Sequence, residues 1–463
     1  MNGEQKTSDQ KTINNQQLPA KIIKQTEDPK KFLFVSFESL SGDLAWEIQK
    51  HGHKVKIFIK AEDDKDVYDG FLEKVDDWKQ HVDWADVIVF DDIGFGSVAE
   101  ELRQKGKLVV GGSKYADRLE EDREFGQNEM ARVGMNVLPH WDFTDFDSAI
   151  TFIKENPSCY VFKPSDSGTL VPKGILFLGH EEDGKDIIQI LEQNKVLWAK
   201  KIKKLQLQRR AIGVEVAVGA FFNGEDFIYP INVNFEHKKL FPGDIGPYTG
   251  EMGTLMFWSP ANKIFTTTLL KMKEDLAKSG YVGYVDINCI ANSRGIFPLE
   301  FTCRFGYPTI SIQMEGVSCD WGEFFYKLAK KEKPDIKAKK GFQIGVVIAV
   351  PPFPFKDKKE AFIYKDLSII FKKPNLDGIH LGEVKLVDGT WTLAGETGYV
   401  LVVTGDGNTV EEARKRAYSR VKNVKIQNMY YRTDIGYRWP TDSDKLHSDG
   451  YLYAVTEQEP NSK

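Results

Sequence analysis

Gly283-Tyr-Val-Asp-Ile-Asn-Cys-Ile290, then Asn292-Ser-Arg-Gly295, then Ile296-Phe-Pro-Leu-Glu-Phe-Thr-Cys-Arg304 follow one another, two strand-like runs around a turn-forming quartet. The pattern predicts an antiparallel hairpin. With an odd-numbered loop centred on Ser293, Asp286 falls opposite Glu300, and alternation puts Thr302 and Arg304 on that same face. Two carboxylates at such a separation repel unless a cation lies between them, and hard oxygen donors beside a phosphate suit magnesium. Arg304 would hold a phosphate oxygen. An ordinary polar face of a half-exposed hairpin uses the same residues, and the hairpin alone leaves both readings open.

Upstream, Cys159-Tyr-Val-Phe-Lys163, the loop 164–172 and Lys173-Gly-Ile-Leu-Phe-Leu178 read as strand, small-residue loop and strand, a hairpin lid. Backbone amides bracketed by two lysines suit a polyphosphate, although lysines on hairpins are commonly just solvated. Before that, apolar runs at 32–36, 55–59, 86–90 and 107–110 alternate with helical patterns at 43–51 and 98–105. Such alternation predicts a parallel sheet flanked by helices, with ligands beyond the carboxyl ends of the strands. Those ends are residues 36–42, including Ser39 and Gly42, and 91–96. Residues 117–133 read as one helix.

At 463 residues the chain exceeds what one core organises, so several compact units are expected. With 63 basic against 68 acidic residues and a net charge of −5, nothing calls for nucleic acid or a membrane as partner. No run approaches the roughly 18 apolar residues of a membrane span, nothing near Met1 resembles a signal peptide, and Cys159, Cys289, Cys303 and Cys319 show no CxxC spacing. A cytoplasmic protein with reduced thiols is the expectation.

Several spaced motifs together resemble phosphoribosylamine-glycine ligase, also called glycinamide ribonucleotide synthetase, a family of the ATP-grasp superfamily. Glu236-His-Lys-Lys239 with Gly243-Asp-Ile-Gly-Pro-Tyr-Thr-Gly-Glu-Met-Gly253 is similar to the family's D-H-K-R and G-P-N-T-G-G-M-G, and Leu299-Glu-Phe-Thr-Cys-Arg-Phe-Gly306 to its E-F-N-C-R-F-G. Glu411-Glu-Ala-Arg-Lys-Arg-Ala-Tyr418 and Arg432-Thr-Asp-Ile-Gly-Tyr-Arg438 are similar to its closing motifs.

The resemblance implies an α/β chain with an ATP-grasp fold, an N-terminal parallel α/β domain and a C-terminal strand-rich α+β domain. The expected units are a disordered leader 1–30, a substrate domain 31–120, an ATP-grasp domain 121–335 with its lid at about 135–205, a C-terminal domain 336–440, and a loosely held tail 441–463. It implies an ATP-dependent ligase that makes an acyl phosphate from a carboxylate and then an amide, with small-molecule substrates and a monomer or homodimer. Lys163, Lys173 and Gly174 would hold ATP phosphates. Leu207, Gln208, Arg209 and Arg210 would form the strand reading adenine by its backbone, and Glu215 would reach the ribose. Magnesium, with manganese as the alternative, would bind Glu300 with Asp286 and Thr302. Arg304 and Lys238 carry over as catalytic, and His237, Gly246, Thr249, Gly250 and Met252 join Ser39 and Gly42 as substrate contacts. Arg432 and Asp434 fit a structural role better than a functional one.

The departures from the family fall where substrates bind. Its G-N-G-G-R-E-H-A loop, whose glycines admit a ribose phosphate, is here Ser36-Phe-Glu-Ser-Leu-Ser-Gly-Asp-Leu-Ala45, and its G-P-E loop is acidic Asp91-Asp-Ile-Gly94. Thr302 replaces an asparagine, while Tyr248 and Glu251 add bulk and charge to the amino-acid loop. A repurposed ligase joining a different carboxylate and amine, or a silent ATP-binding relative, stand as alternatives.

Overall fold

Phe32, Leu33, Phe34 and Val35 are all completely buried, yet Phe32 and Phe34 join one apolar cluster and Leu33 and Val35 another. Only a strand covered on both faces divides its side chains in this way, the mark of a parallel sheet between helices. The computed structural model describes residues 26–164 and 176–455. Its first unit is a five-stranded parallel sheet in the order Glu73–Lys74, Lys54–Ile59, Lys31–Ser36, Val87–Phe90, Leu108–Val110. Helices Gly42–Lys50 and Gly96–Gln104 follow the two central strands.

The helix expected over 117–133 is two helices, Lys114–Glu121 and Arg123–Arg132. Asp122 breaks them: its backbone is extended, and its carboxylate accepts the Phe125 N–H at 3.0 Å as cap of the second. An aspartate offers the backbone this alternative to helix continuation.

The lid is an antiparallel sheet in the order His140–Phe143, Leu205–Arg209, Tyr160–Pro164, Phe177–Leu178. Helices Phe146–Glu155 and Lys185–Trp198 supply Ile150, Ile153, Ile187 and Leu191 to its own core with Phe162 and Leu207. Lys173 and Gly174 lie outside the described residues.

The third sheet has eight antiparallel strands: Gly295–Thr302, Gly283–Asn292, Val214–Phe222, Phe227–Glu236, Gly253–Ser259, Phe342–Ala349, Tyr399–Gly407 and Ile379–Leu381. It runs through residue 335 without a break, because Gly253–Ser259 pairs with Phe342–Ala349. Helix Val410–Val421 lies so close on this sheet that a Cβ on Gly405 would come within 2.3 Å of the Ala417 nitrogen. Part of the expected loose tail is ordered. Trp439–Ser448 is a helix, Trp439 packs against Phe235, Phe257 and Phe342, and the Tyr451 hydroxyl donates to the Asn292 carbonyl at 2.7 Å. Among the described residues no helix is long and apolar enough to cross a membrane.

Candidate functional site

The hairpin register differs from expectation. Asn292 pairs with Gly295, so the loop holds two residues rather than an odd number, and a register shift lies beside Asn288. Asp286 therefore faces Thr302, and Glu300 faces Asn288. A displacement of two residues preserves the face, so Asp286, Asn288, Glu300 and Thr302 still share one side of the sheet. Glu215 joins that side from the neighbouring strand, where its partner Ile290 is two positions from Asn288.

Arg304 lies beyond the strand end and does not extend that face. Its guanidinium reaches Asp92 at 3.1 Å and Glu120 at 3.2 Å, tying the hairpin to the first unit. Burial opposes its charge, but Glu120 and Asp92 outweigh burial and raise its pKa.

Oxygens with unmet bonding needs line this face. Asp286 Oδ1 and Asn288 Oδ1 are buried with no hydrogen-bond partner among the described residues. Burial, reinforced by Glu236, pushes the Asp286 carboxyl up to about 8, against the hydrogen bond from Thr302. Buried polar atoms without partners are rare and point to a missing ion, water or ligand. A hard divalent cation is the species that would satisfy two such oxygens and ionise Asp286. Glu300, Asp286 and Asn288 would hold it, with Thr302 supporting the carboxylate. No group of three or more His, Cys, Asp or Glu that could hold a metal is gathered among the described residues. A divalent cation held by these oxygens would take its remaining ligands from water or substrate oxygens.

Lys238 stands among three acids, with Nζ 3.1 Å from Glu215, 3.4 Å from Glu236 and 3.8 Å from Glu300. Burial works against its charge, and the carboxylates outweigh it and hold its pKa well above the ordinary lysine value. Lys238 is a fixed cation, not a proton acceptor. The fully buried Glu251 adds a further carboxyl, raised by burial and Glu236, whose Oε1 has no partner among the described residues.

Lys163 projects from the lid strand, and its Nζ donates to Gln208 Oε1 at 2.7 Å. Burial, with Arg123 and Lys238 in support, brings its pKa down to about 7 against the pull of Glu300. A lysine so poised takes up a proton when an anion arrives. A cavity of about 110 Å³ is lined by Pro164 of the lid, Glu300 of the hairpin, and Glu120, Arg123, Gln127 and Met130. Lid and hairpin thus share one cleft. A larger cavity, about 370 Å³, lies in the C-terminal part, is lined by Lys372, Lys373, Arg420 and Lys422 among others, and shares no residue with it.

Residues 207–210, expected to offer backbone groups to adenine, lie on an inner strand of the lid sheet and just past its end. Leu207 and Gln208 lie on a strand with neighbours on both sides, pairing with Trp141 and Phe162, and with His140 and Val161. Their backbone groups serve the ladders. The Arg209 and Arg210 N–H groups bond to the Pro139 and Cys159 carbonyls at 2.8 and 3.0 Å, and the Arg210 side chain bonds to the Gly179 carbonyl at 2.6 Å. What Gln208 offers instead is its side chain, whose Nε2 is buried without a partner.

Several expected substrate contacts are packed away. Met252 is completely buried, its N–H bonded to the His237 carbonyl at 2.8 Å. His237 is 1% exposed, its Nε2 accepts the Gly436 N–H at 3.3 Å, and burial with Arg438 drives its pKa down to about 3. It is a neutral spacer under the closing motif. Thr249 donates both its N–H and its hydroxyl to the Lys238 carbonyl at 2.8 Å, so it shapes the loop behind Lys238. Gly246, at φ 84°, turns the Ile245–Tyr248 strand, and Gly250 is open, with nothing within 4 Å of a Cβ there. Ser39 is 7% exposed, and a Cβ on Gly42 would fall 2.2 Å from the Tyr68 ring.

Arg432 is fully buried, bonded to Asp434 at 2.8 and 2.7 Å, to Asp244 at 2.8 Å and to the Lys239 carbonyl at 2.9 Å. It clamps the C-terminal motif to the loop after Lys238. Asn288, Glu236 and Glu120 escaped the sequence reading. Asn288 had a signal, since it is two residues from Asp286 on one strand, whereas Glu120 had none and is brought in by the tertiary fold.

Comparison with known proteins identifies the family and the fold. Curated phosphoribosylamine–glycine ligases from Streptococcus pneumoniae and Listeria monocytogenes are each 26% identical, over 75% and 78% of this chain and 82% and 86% of theirs. The crystal structure of phosphoribosylamine–glycine ligase from Thermotoga maritima superposes with a TM-score of 0.65 at 21% identity, covering 88% of this chain and all of that one. Biotin carboxylase from Campylobacter jejuni does so at 0.58 and 13%, covering 92% and 98%. These two likenesses show the shared ATP-grasp fold. The family model for the phosphoribosylglycinamide synthetase ATP-grasp (A) domain matches residues 121–310, and that for the same family's C domain matches residues 343–438, together more than half of the chain. The chain thus belongs to the phosphoribosylglycinamide synthetase family of ATP-grasp proteins.

Proposed function

We propose that the chain is an ATP-dependent carboxylate–amine ligase of the glycinamide ribonucleotide synthetase type, forming a C–N bond through an acyl phosphate. The observation that carries this reading is the cleft lined by Pro164 and by Glu300 of the hairpin, with the buried Lys163 next to Pro164 in electrostatic reach of Glu300 and the unpartnered oxygens of Asp286 and Asn288 on the Glu300 face. A lysine for phosphate oxygens near carboxylate and amide oxygens for a cation is what phosphoryl transfer to a carboxylate requires.

The substrate carboxylate attacks the terminal phosphorus of ATP, ADP departs, and the acyl phosphate forms. The amine then attacks the acyl carbon, inorganic phosphate leaves, and the amine nitrogen loses a proton to give the amide. Lys163, protonated on binding, holds phosphate oxygens under the lid, and the Gln208 amide donates beside it. Lys238 keeps Glu215, Glu236 and Glu300 together at fixed charge. Arg304, held by Asp92 and Glu120, stands where the hairpin meets the first unit, placed to balance the acyl phosphate. Magnesium, or manganese in its place, would neutralise charge on the transferred phosphoryl group from Glu300, Asp286 and Asn288. The activated carboxylate is an amino acid's; in the curated relatives the named amino acid is glycine. Substrates are small molecules, and the protein acts as a monomer or homodimer in the cytoplasm.

The test is hydroxamate formation. With ATP, magnesium and hydroxylamine, an amino acid that is activated yields its hydroxamate and ADP in equal amounts. ATP hydrolysis without hydroxamate, for every amino acid tried, rejects the acyl-phosphate ligase.

A further inference from the structure

We propose that the amine accepted by this ligase carries no phosphate group and is recognised as an ammonium by carboxylates at the carboxyl edge of the five-stranded parallel sheet. The inference rests on the ligase reading above. In an open sheet of this type ligands lie beyond the strand ends, and a phosphate there is held by the free N–H groups of the helices that follow.

At both helix starts the first N–H is taken by the chain itself. After Lys31–Ser36, the fully buried Tyr68 covers the start of Gly42–Lys50: its ring occupies the space beside Gly42, its oxygen takes the Gly42 N–H, and its hydroxyl donates to the Ser39 carbonyl. After Val87–Phe90, the Gly96 N–H is bonded to Asp117 Oδ2 at 2.7 Å, and the same carboxylate receives the Gly94 N–H. A phosphate would have to displace a packed tyrosine at one start and, at the other, an aspartate that already holds two backbone N–H groups.

The charge of these loops points the same way. Glu38, Asp64, Asp91 and Asp92 converge there. Two cations that reach them are already paired, Lys356 with Glu38 at 2.8 Å and Arg304 between Asp92 and Glu120. Asp64 is pushed up to about 6 by burial and by Glu38. Asp91 is completely buried and pushed up to about 7 by burial, with Asp92 adding to the shift and Ser41 resisting it. Its Oδ2 accepts the Ser41 hydroxyl at 2.6 Å, while Oδ1 has no partner among the described residues, the nearby Ser36 hydroxyl being turned to the Glu38 carbonyl. An oxygen in that state lacks a hydrogen-bond donor, which an ammonium supplies and a phosphate dianion does not. Asp43, the remaining acid of the loop, takes no part: it accepts the Leu381 N–H at 2.9 Å and contacts His380 at 2.7 Å.

The experiment uses the full chain with magnesium, ATP and the amino acid that gives hydroxamate. ADP release is measured with phosphoribosylamine generated in place, and with unphosphorylated amines: ribosylamine, aliphatic diamines and amino acids. The expected result is acceleration of about tenfold or more by at least one unphosphorylated amine, and a change of no more than about twofold with phosphoribosylamine. Asp91→Asn and the more exposed Glu38→Gln are expected to lower that acceleration while hydroxamate formation persists, which shows that both variants fold and activate the carboxylate. Acceleration by phosphoribosylamine, or by none of the unphosphorylated amines, overturns the proposal. Absence of hydroxamate with every amino acid overturns the ligase reading instead.

Discussion

Asp286 lies directly across the hairpin from Thr302, with one carboxylate oxygen buried and unpartnered and its pKa raised to about 8. The ordinary value for this group is 3.8, so between about pH 4 and pH 8 the unfolded chain sheds a proton that the fold retains. Stability contributed through Asp286 therefore declines as pH rises through that window. Asp286→Asn is expected to raise the melting temperature of the ligand-free protein at pH 8 more than at pH 6. Adding magnesium and ATP should shrink the difference, because a cation then does what the proton did. Equal effects at both pH values reject this account.

Glu300→Gln keeps the side-chain shape and removes the charge that faces Asn288 and the cleft. Turnover should fall on the order of 100-fold while circular dichroism and melting temperature change little. A raised magnesium requirement for the remaining activity would locate the loss in cation binding. Wild-type kcat and magnesium dependence would reject the assignment.

In the proposed role, Lys163, its pKa brought down to about 7, would couple ATP binding to proton uptake. As pH rises above 7 the free protein loses this proton, and ATP affinity should fall by up to about tenfold per pH unit, less where bound phosphate lifts the pKa. Lys163→Met should weaken ATP binding about tenfold at pH 7 and flatten the profile. Calorimetric titrations from pH 6 to 9 read both effects, and a slope unchanged in the variant rejects the role.

Lys238→Met leaves Glu215, Glu236 and Glu300 facing one another without their common cation. A loss of about 3 kcal/mol is expected in chemical denaturation at pH 7.5, easing at acid pH as Glu236, whose carboxyl burial already holds above its ordinary value, protonates. A variant as stable as wild type at pH 7.5 shows that the acids are screened by other means.

Arg432→Ala strands Asp434 and Asp244 beside a closed motif, and about 3 kcal/mol of stability should be lost. Arg432→Lys should recover little, since an ammonium cannot reproduce the forked pairing with Asp434. Active material should retain its KM for ATP; a specific rise in that KM with normal stability would move Arg432 into the binding site.

The sequence by itself determined the elements and the chemistry on them. Alternating and fully apolar runs specified the strands at Lys31–Ser36 and Gly283–Asn292, and the resemblance of the motifs carrying Lys238, Glu300 and Arg304 to a ligase family implied phosphoryl transfer. Side-chain period and turn chemistry are local properties, which is why they are legible.

Tertiary structure alone decided the rest. Pairing of Asn292 with Gly295, together with the register shift beside Asn288, put Thr302, not Glu300, across from Asp286. Strands on both sides of Leu205–Arg209 drew the backbone of Leu207 and Gln208 into two ladders. Burial turned Lys163 into a near-neutral lysine and His237 into a neutral spacer, and contacts distant in sequence delivered Glu120 to Arg304 and Tyr68 to Gly42. Desolvation and pairing depend on what the rest of the chain places around a group, and no local pattern encodes that.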